Sequence, residues 1–272
     1  MSSLPPKAVA AVTPRPAATT LIVRDGPPGL EVLMVRRSLQ ASFMPGAYVF
    51  PGGAVDAADG SDAHAARLDE PADRVLARIG TVNQVGEQAL AFAVAALREC
   101  FEECGLWLGA PAAAAADFSA LRARLHGGAV LAELAAEAGL PLATSALQPW
   151  SRWVTPVGIP KRFDTLFFVC RAPEGQVPSV DAGETTTLAW VHPPEALAAR
   201  ARGEFPMEFA TVQTVASMAP FATRRAQALL DHAAAQVSLP PLHPRLKLDE
   251  EGRIRGVMLP GEPGYDAAIG DG

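Results

Sequence analysis

The chain has 272 residues, of which 49% are hydrophobic and 19% are charged, and its 29 acidic and 23 basic side chains give a net charge of −6. This length is sufficient for a packed core in one large domain or two small ones. The acidic balance argues against a nucleic-acid partner or an anionic membrane surface, although it permits a local basic pocket. Three cysteines are too few for a disulfide framework and indicate a reducing, cytoplasmic location.

The first part of the chain is predicted to be a short tail followed by strands. Residues 1–16 are rich in small residues and proline and are expected to be flexible. Two β-branched or apolar runs, residues 19–24 and 31–37, flank a Gly- and Pro-rich segment and predict a hairpin. A third short strand is predicted over residues 48–50, ending at Pro51. No run reaches about 18 uncharged apolar residues, so no membrane span is expected.

Helices are predicted in the middle of the chain. A short helix is expected around residues 71–79. The composition of residues 87–104, rich in Ala, Leu and Glu, predicts a strong helix that Gly105 ends. Residues 112–141 also have a helical pattern. We therefore expect helical insertions at about residues 60–89 and 110–148.

Strands and helices alternate in the second half of the chain. Residues 163–171 are almost all apolar or β-branched, which predicts a buried central strand. Strands are also predicted at residues 152–157 and 187–192, helices at 193–202, 208–218 and 223–236, and a terminal hairpin at 246–259. This order predicts an α/β fold with a mixed sheet between helical layers. The domain is expected to span residues 17–236, followed by a C-terminal extension, residues 237–272.

The most informative segment is the acidic end of the helix predicted over residues 87–104. At 3.6 residues per turn, Glu99 and Glu103 lie on one face, with Glu102 beside them. Like charges at this spacing destabilise an isolated helix by roughly 0.2–0.5 kcal/mol per pair, and the helix dipole disfavours anions at this end. Apolar residues between the glutamates predict that the helix is partly buried, which makes three crowded carboxylates costlier still.

A divalent cation among these carboxylates would offset that cost, and oxygen ligands favour Mg²⁺ or Mn²⁺. Upstream, the turn at Gly52 and Gly53 allows close backbone approach and exposes carbonyl oxygens. Arg98 directly precedes the cluster, and its guanidinium can brace a carboxylate. The alternative is a solvent-exposed acidic stripe, which is the commoner arrangement for three glutamates taken alone.

The segment Arg98–Leu106 resembles the second half of the Nudix box, with Arg-Glu, then Glu-Glu, then Gly and an apolar residue in the required order. Gly53, five residues and then Asp59 are similar to the first half, which normally ends in Glu. Residues 60–97 separate the two halves, 31 more residues than the family usually has. Three runs, residues 43–53, 150–156 and 162–165, are similar to the acyl-coenzyme A diphosphatase branch of this family.

The resemblance implies a Nudix-like α/β/α sandwich with a mixed sheet and helical insertions. It further implies metal-dependent hydrolysis of the diphosphate in coenzyme A or acyl-coenzyme A, giving adenosine 3′,5′-bisphosphate and (acyl)phosphopantetheine. Two alternatives stay open. One is hydrolysis of another nucleoside diphosphate derivative, such as ADP-ribose, a dinucleotide or a nucleotide sugar. The other is a non-catalytic domain that binds a nucleotide and regulates a partner.

The family's site residues map onto the box. Glu99 and Glu103 are expected to bind the Mg²⁺ or Mn²⁺ ion, and the backbone carbonyl of Gly53 or Gly52 to complete its ligands. Glu102 is expected to be a third ligand or the group that orients and deprotonates water. Together with Arg98, which is placed in the catalytic set, these residues form the predicted centre.

Substrate contacts are predicted for Arg36, Arg37 and Arg162, because guanidinium groups suit phosphate, although a surface or salt-bridge role is the alternative for each. Glu184 is considered as a further ligand, but a solvated loop carboxylate is favoured. The helices between residues 117 and 139 are candidates for a lid over an acyl tail. Core packing is expected for four other residues (Cys100, Cys104, Trp150 and Trp153). The five histidines lack zinc-site spacing and are expected to be exposed or hydrogen-bonded. No oligomeric state is predicted.

Overall fold

A computed structural model of the chain describes residues 12–40, 44–110, 116–181 and 185–268. Its centre is a seven-stranded sheet. The strands are β1 (Arg15–Gly26), β2 (Gly29–Arg37), β3 (Tyr48–Val49), β4 (Gly52–Ala54), β5 (Gln148–Val154), β6 (Phe163–Arg171) and β7 (Thr185–Val191). The main order is β3-β2-β1-β6-β5, with β4 paired to β1 and β7 paired to β2.

The sheet is mixed, as the alternation of strands and helices predicts. Strands β1 and β6 run parallel, and every other pair is antiparallel. Strand β6 has buried side chains from Leu166 to Cys170, which confirms the central strand expected there. Strand β1 starts at Arg15, four residues before the predicted start and inside the segment predicted to be a tail. It extends this far because β6 offers a partner from Phe163 onward.

Helices cover both faces of the sheet, which confirms the predicted sandwich. They are α1 (Asp62–Ala65), α2 (Ala72–Val75), α3 (Ala89–Cys104), α4 (Phe118–His126), α5 (Leu131–Ala138), α6 (Pro193–Ala201), α7 (Phe209–Met218) and α8 (Ala226–Ala234). One core cluster joins α3, α4 and α5 to one face, and a second joins α6, α7 and α8 to the other. In the part of the chain described, no helix is long and apolar enough to cross a membrane.

The two predicted insertion regions contain the short elements of the fold. The helix expected around residues 71–79 is α2, which continues into a π-helical turn, Leu76–Thr81. The helical pattern of residues 112–141 resolves into α4 and α5, with residues 111–115 outside the described ranges. Both insertions pack against α3, so they contribute to its burial.

The C-terminal extension folds back onto the domain. Strands β8 (Arg245–Leu248) and β9 (Ile254–Met258) form the expected terminal hairpin. Before it, Leu242 bridges to Trp153 of β5, and the Val154 N–H donates to the Leu242 carbonyl at 2.9 Å. The extension therefore covers the end of β5, at Arg152–Val154, on this edge of the central sheet.

Candidate active site

Two adjacent glycines bring the backbone of β4 against both β1 and α3. The Gly52 and Gly53 residues pair with Thr19 and Ala18 of β1. A Cβ on Gly52 would lie 2.4 Å from the Ala18 carbonyl oxygen, so only glycine permits this approach. The sequence predicts that the strand ends at Pro51, but the chain forms a second short strand, β4, because the glycines fit tightly against β1.

The acidic end of α3 lies directly against this glycine pair. The Gly52 N–H donates to Glu103 Oε2 at 3.0 Å. A Cβ on Gly53 would meet Glu99 Oε1 at 2.4 Å, so the Glu99 carboxylate occupies the space beside Gly53. The structure therefore places Glu99, Glu103 and Gly53 together, as required by the predicted metal-binding roles.

The Arg98 guanidinium joins the remaining acidic groups of the site. All five of its N–H groups have an acceptor, which satisfies its full donor capacity. The acceptors are Asp59 Oδ1 (from Nε, 3.0 Å), Asp59 Oδ2 (Nη2, 3.0 Å), the Ala54 carbonyl (Nη2, 2.9 Å), Glu99 Oε1 (Nη1, 2.8 Å) and Glu102 Oε2 (Nη1, 3.1 Å). Arg98 thereby fixes α3 relative to β4 and to the segment that carries Asp59.

Asp59 occupies the place where the Nudix box normally has Glu. It lies in a 3-10 turn, Ala57–Gly60, and is only 1% exposed. Both carboxylate oxygens contact Arg98, and Oδ2 also accepts the Asp56 N–H at 2.8 Å. The shorter side chain thus makes a bidentate pair with Arg98.

The pKa values of the charged groups at the site are shifted by burial and by their neighbours. Burial raises the pKa of Glu99 to about 7, although Arg98 opposes the shift, and burial also raises the pKa of Glu102. Burial alone would lower the pKa of Arg98, but the Asp59 hydrogen bonds and the charges of Glu99 and Asp59 raise it overall. One guanidinium therefore faces several partly buried carboxylates, and it does not fully offset the cost of burying Glu99 and Glu102 in their ionised form.

The donor chemistry of these residues fits a hard divalent cation, since carboxylate and carbonyl oxygens are what Mg²⁺ and Mn²⁺ prefer. Within the described ranges, no three Asp, Glu, His or Cys side chains already form a cluster around one point. In this conformation Glu99 and Glu102 contact Arg98, while Glu103 contacts Gly52. The acidic groups beside the glycine turn are therefore the residues that could hold a cation.

The predicted substrate-binding arginines have different surroundings. Arg36 lies at the end of β2, donates to the Gly46 carbonyl at 3.2 Å and lies over the ring of Tyr48. Its strand partner Tyr48 is four residues before Gly52, and Arg37 follows it at the same end of β2. Arg162 is 4% exposed and donates to the carbonyls of Thr155 and Val12. Arg162 thus holds backbone segments together. Arg36 and Arg37 lie at the same end of the sheet as the Gly52–Gly53 turn.

Several other predictions have outcomes here. Trp153 is buried against Phe209, which confirms core packing for this residue, whereas Trp150 is only partly buried and packs against Phe221 at the margin of the core. All three cysteines are free and buried, including Cys100 and Cys104. Glu184 lies outside the described residues.

Two hollows border the segment between β6 and β7, which the Ser179 N–H ties to the Cys104 carbonyl at the end of α3. The larger is a cleft of about 720 Å³, bordered by Arg24, Arg171 and Trp190. The smaller, about 270 Å³, includes Arg122. A third hollow, between α3 and α5 and bordered by Leu97, Phe101 and Leu131, has a volume of only about 10 Å³ and is too small for an acyl tail.

Sequence reasoning missed two buried residues supplied by the insertions. Arg122 of α4 donates through Nε to the Glu102 carbonyl at 2.8 Å and through Nη1 to the Ser179 carbonyl at 3.0 Å. His64 is only 2% exposed and its Nδ1 is hydrogen-bonded, which matches the second of the two arrangements expected for the histidines, but no role at the site was predicted for it. Neither residue lies in the Nudix box. The only hint in the sequence was that both lie in the predicted insertions.

Comparisons with known proteins find a family model that matches most of the chain. The family model described as the NUDT19 Nudix domain matches residues 8–213. The chain is 34% identical over 217 residues to the acyl-coenzyme A diphosphatase NUDT19 of Gallus gallus, a match covering 63% of this chain and 56% of that protein. The Homo sapiens protein of the same name is 31% identical over 225 residues, and this match covers 67% of this chain and 59% of that protein. The matches thus span little more than half of these relatives.

A solved structure gives a likeness over more of the chain. The crystal structure of a NUDIX hydrolase from Alicyclobacillus acidocaldarius is 28% identical, with a TM-score of 0.66. The superposition covers 85% of this chain and 99% of that chain. The likeness in fold therefore extends over most of the chain.

Proposed function

Because the chain belongs to the NUDT19 Nudix domain family, we propose that it hydrolyses a diphosphate bond of coenzyme A or acyl-coenzyme A with the help of Mg²⁺ or Mn²⁺. Water adds to one phosphorus atom, the bridging oxygen leaves with the other, and the products are adenosine 3′,5′-bisphosphate and (acyl)phosphopantetheine. The observation that carries this proposal is the position of Glu99 and Glu103 against the Gly52–Gly53 turn, with Glu102 held on the same Arg98 nitrogen as Glu99.

The acidic side chains have separate roles in this proposal. Glu99 and Glu103 hold the cation, together with the carbonyl of Gly53. When bound, the cation supplies positive charge to the diphosphate and lowers the pKa of water from about 15.7 toward roughly 7 in the best cases. The diphosphate needs this charge because its own anionic oxygens repel an incoming nucleophile.

Glu102 is the proposed acceptor of the proton from water. Its side chain is 23% exposed against 15% for Glu99, so Glu102 has better access to solvent than the other glutamate that contacts Arg98. Burial raises its pKa, which makes it a better proton acceptor than an ordinary carboxylate. Arg98 keeps Glu102 and Glu99 in position, and Asp59 keeps Arg98 in position.

The substrate's phosphates are proposed to meet Arg36 and Arg37, because both lie at the end of β2 that is nearest the glycine turn. The cleft of about 720 Å³ offers a second place for part of a substrate this large, with Trp190 and the guanidinium groups of Arg24 and Arg171 on its border. The buried free thiols of three cysteines suit a reducing compartment, and we extend the proposal to a cytoplasmic location.

A substrate panel with purified protein tests the proposal. Coenzyme A, an acyl-coenzyme A, ADP-ribose, a dinucleoside polyphosphate and a nucleotide sugar are incubated with Mg²⁺ or Mn²⁺, and products are identified by mass spectrometry. We expect adenosine 3′,5′-bisphosphate from the coenzyme A compounds at the highest kcat/KM. Preferential cleavage of ADP-ribose, or tight nucleotide binding without any product, would contradict it.

A further inference from the structure

His64 is a buried histidine next to the predicted catalytic centre but outside the Nudix box. It belongs to α1, in the first insertion, and is 2% exposed. Its ring Nδ1 lies 2.9 Å from the Ala58 carbonyl oxygen and 2.9 Å from Ser61 Oγ. Within the described part of the chain, its buried Nε2 has no hydrogen-bond partner. A buried, half-satisfied polar ring is costlier than an apolar side chain of similar size, so its presence calls for an explanation.

The surroundings of the ring settle its protonation. A carbonyl oxygen only accepts hydrogen bonds, so Nδ1 carries a proton and donates to Ala58. In a neutral ring the partnerless Nε2 is then the nitrogen without a proton. Burial lowers the pKa of His64, and the nearby charges of Asp59 and Arg98 act in opposite directions. The neutral ring with its proton on Nδ1 is therefore the form that fits this site.

The hydrogen bond from His64 acts on the turn that carries Asp59. Ala58 immediately precedes Asp59 in the 3-10 turn, and its carbonyl also accepts the Ser61 N–H at 3.0 Å. Two donors thus fix the carbonyl on one side of Asp59. On the other side, the Asp59 carboxylate holds Arg98 through two hydrogen bonds of 3.0 Å.

We propose that His64 is a positioning residue, which holds the Ala58 carbonyl and thereby sets Asp59 and the Arg98 guanidinium in the orientation that receives Glu99 and Glu102. The contacts form one continuous path of hydrogen bonds and one peptide unit from the inserted helix α1 to the acidic end of α3. The inserted segment therefore contributes to the geometry of the site as well as to the burial of α3. The effect on turnover rests on the proposed function, whereas the effect on Arg98 does not.

Two conservative variants separate positioning from simple packing. In His64→Asn, the side-chain amide places an N–H near the position of Nδ1, so the bond to Ala58 is retained. In His64→Gln, the side chain is closer to histidine in length, but its N–H falls near the position of Nε2. If His64 only filled space, Gln would be the better replacement. Positioning predicts that Asn is the better one.

The first measurement is the ¹⁵N–¹H signal of the Arg98 side-chain Nε, assigned by comparison with an Arg98→Lys sample. We expect His64→Gln to shift or broaden this signal and His64→Asn to leave it close to that of the unaltered protein. His232→Gln, on α8 at the other face of the sheet, is the control and should leave it unchanged. An Arg98 signal that His64→Gln does not change would overturn the proposal.

The second measurement is steady-state kinetics on the preferred diphosphate substrate, at a temperature where thermal unfolding shows every variant to be folded. We expect His64→Gln to lower kcat by about fivefold to tenfold, as for one lost net hydrogen bond, with little change in KM. His64→Asn should recover most of this loss. The reverse order of the two variants would refute positioning. If the unaltered protein has no turnover on coenzyme A compounds, the proposed function fails, while the Arg98 signal still decides the role of His64.

Discussion

At the level of single residues, the geometry of the site depends on Arg98, because its five donors reach both the β4 backbone and the carboxylates on either side of it. A guanidinium suits this task better than an ammonium group, since its donors are fixed in one plane and point in several directions. The bidentate pair with Asp59 leaves Nη1 available for Glu99 and Glu102. The orientation of Arg98 therefore determines where both glutamates lie.

The Asp59–Arg98 pair should contribute to stability as well as to geometry. Asp59→Asn keeps the side-chain size but removes the charge that faces Arg98. Breaking a buried pair from one side costs about 3–5 kcal/mol when the other charge is left alone. Because Arg98 keeps Glu99 and Glu102, we expect a smaller decrease, about 1–3 kcal/mol, in the free energy of unfolding measured with urea.

The control for this variant is Glu204→Gln, which removes an exposed partner of Arg202 and should change the unfolding free energy by less than about 0.5 kcal/mol. An Asp59→Asn protein as stable as the control would show that the pair does not hold the turn to α3.

Glu103 offers the sharpest test of the proposed metal ligands. Glu103→Gln retains an oxygen that accepts the Gly52 N–H, so the fold should be preserved, but it removes one charge from the cluster. We expect at least about a hundredfold loss of kcat, equal to about 2.7 kcal/mol of transition-state stabilisation. The measurement is product release at saturating Mg²⁺, with circular dichroism to verify folding.

Glu137→Gln is the matched control, since Glu137 forms an exposed pair with Arg124 on the adjacent helices α4 and α5. It should retain full activity. If Glu103→Gln kept its rate as well, the assignment of Glu103 as a ligand would be wrong.

At the scale of secondary-structure elements, the close approach of β4 to α3 determines where the carboxylates meet the backbone. Gly53→Ala introduces a Cβ that would lie 2.4 Å from Glu99 Oε1. The displaced group is the end of a flexible side chain, so the protein should still fold, but Glu99 must move. We expect weaker Mn²⁺ binding, by roughly tenfold, in a calorimetric titration.

Gly60→Ala is a suitable control for this change, because its Cβ would find only the Ala91 methyl group, at 3.4 Å. Metal affinity should be unaffected in that variant. Equal affinities in the Gly53→Ala and Gly60→Ala proteins would remove the case for a metal site beside Gly53.

The elements also show what the sequence predicts and what it does not. Helical periodicity places Glu99 and Glu103 on one face, and α3 has the expected end at Cys104. The β4 strand was missed because two glycines have no strand propensity, and only the close contact with β1 explains them. The interaction of Asp59 with Arg98 spans 39 residues of sequence, and no periodic pattern connects positions so far apart.

In the molecule as a whole, the central sheet separates the helix that carries the proposed catalytic residues from the apolar helices packed on the opposite face. The acidic helix and both insertions lie on one face, while α6, α7 and α8 form a separate apolar cluster on the other. The Nudix box predicts which residues on the α3 face form the site, since Arg98 of α3 contacts acidic residues of the box. The insertion residues His64 and Arg122 could not be assigned in advance, because their roles arise from packing against α3 and not from a motif.

The unbalanced charge of the site should appear in the stability of the entire protein. The folded-state pKa of Glu99, about 7, lies above the ordinary value of 4.5, so the folded protein binds more protons than the unfolded chain between these values. This group therefore favours the folded state most below about pH 4.5, and its contribution is lost as the pH rises through 7. The raised pKa of Glu102 acts in the same direction.

A bound divalent cation should reverse this loss, because it favours the ionised carboxylates. At a free Mg²⁺ or Mn²⁺ concentration of about 100 times Kd, binding stabilises the folded state by about 2.7 kcal/mol. For a protein of this size, that corresponds to a rise in Tm of roughly 5–10 °C. At pH 8 we expect this full rise in differential scanning fluorimetry. At pH 5.5 we expect less than half of it, since protons compete with the cation.

Because Glu99→Gln has no carboxylate to ionise at that position, its metal-dependent rise should be smaller at pH 8 and should differ less between the two pH values. A rise in Tm that is equal at both pH values in the unaltered protein would show that the cation binds away from these carboxylates.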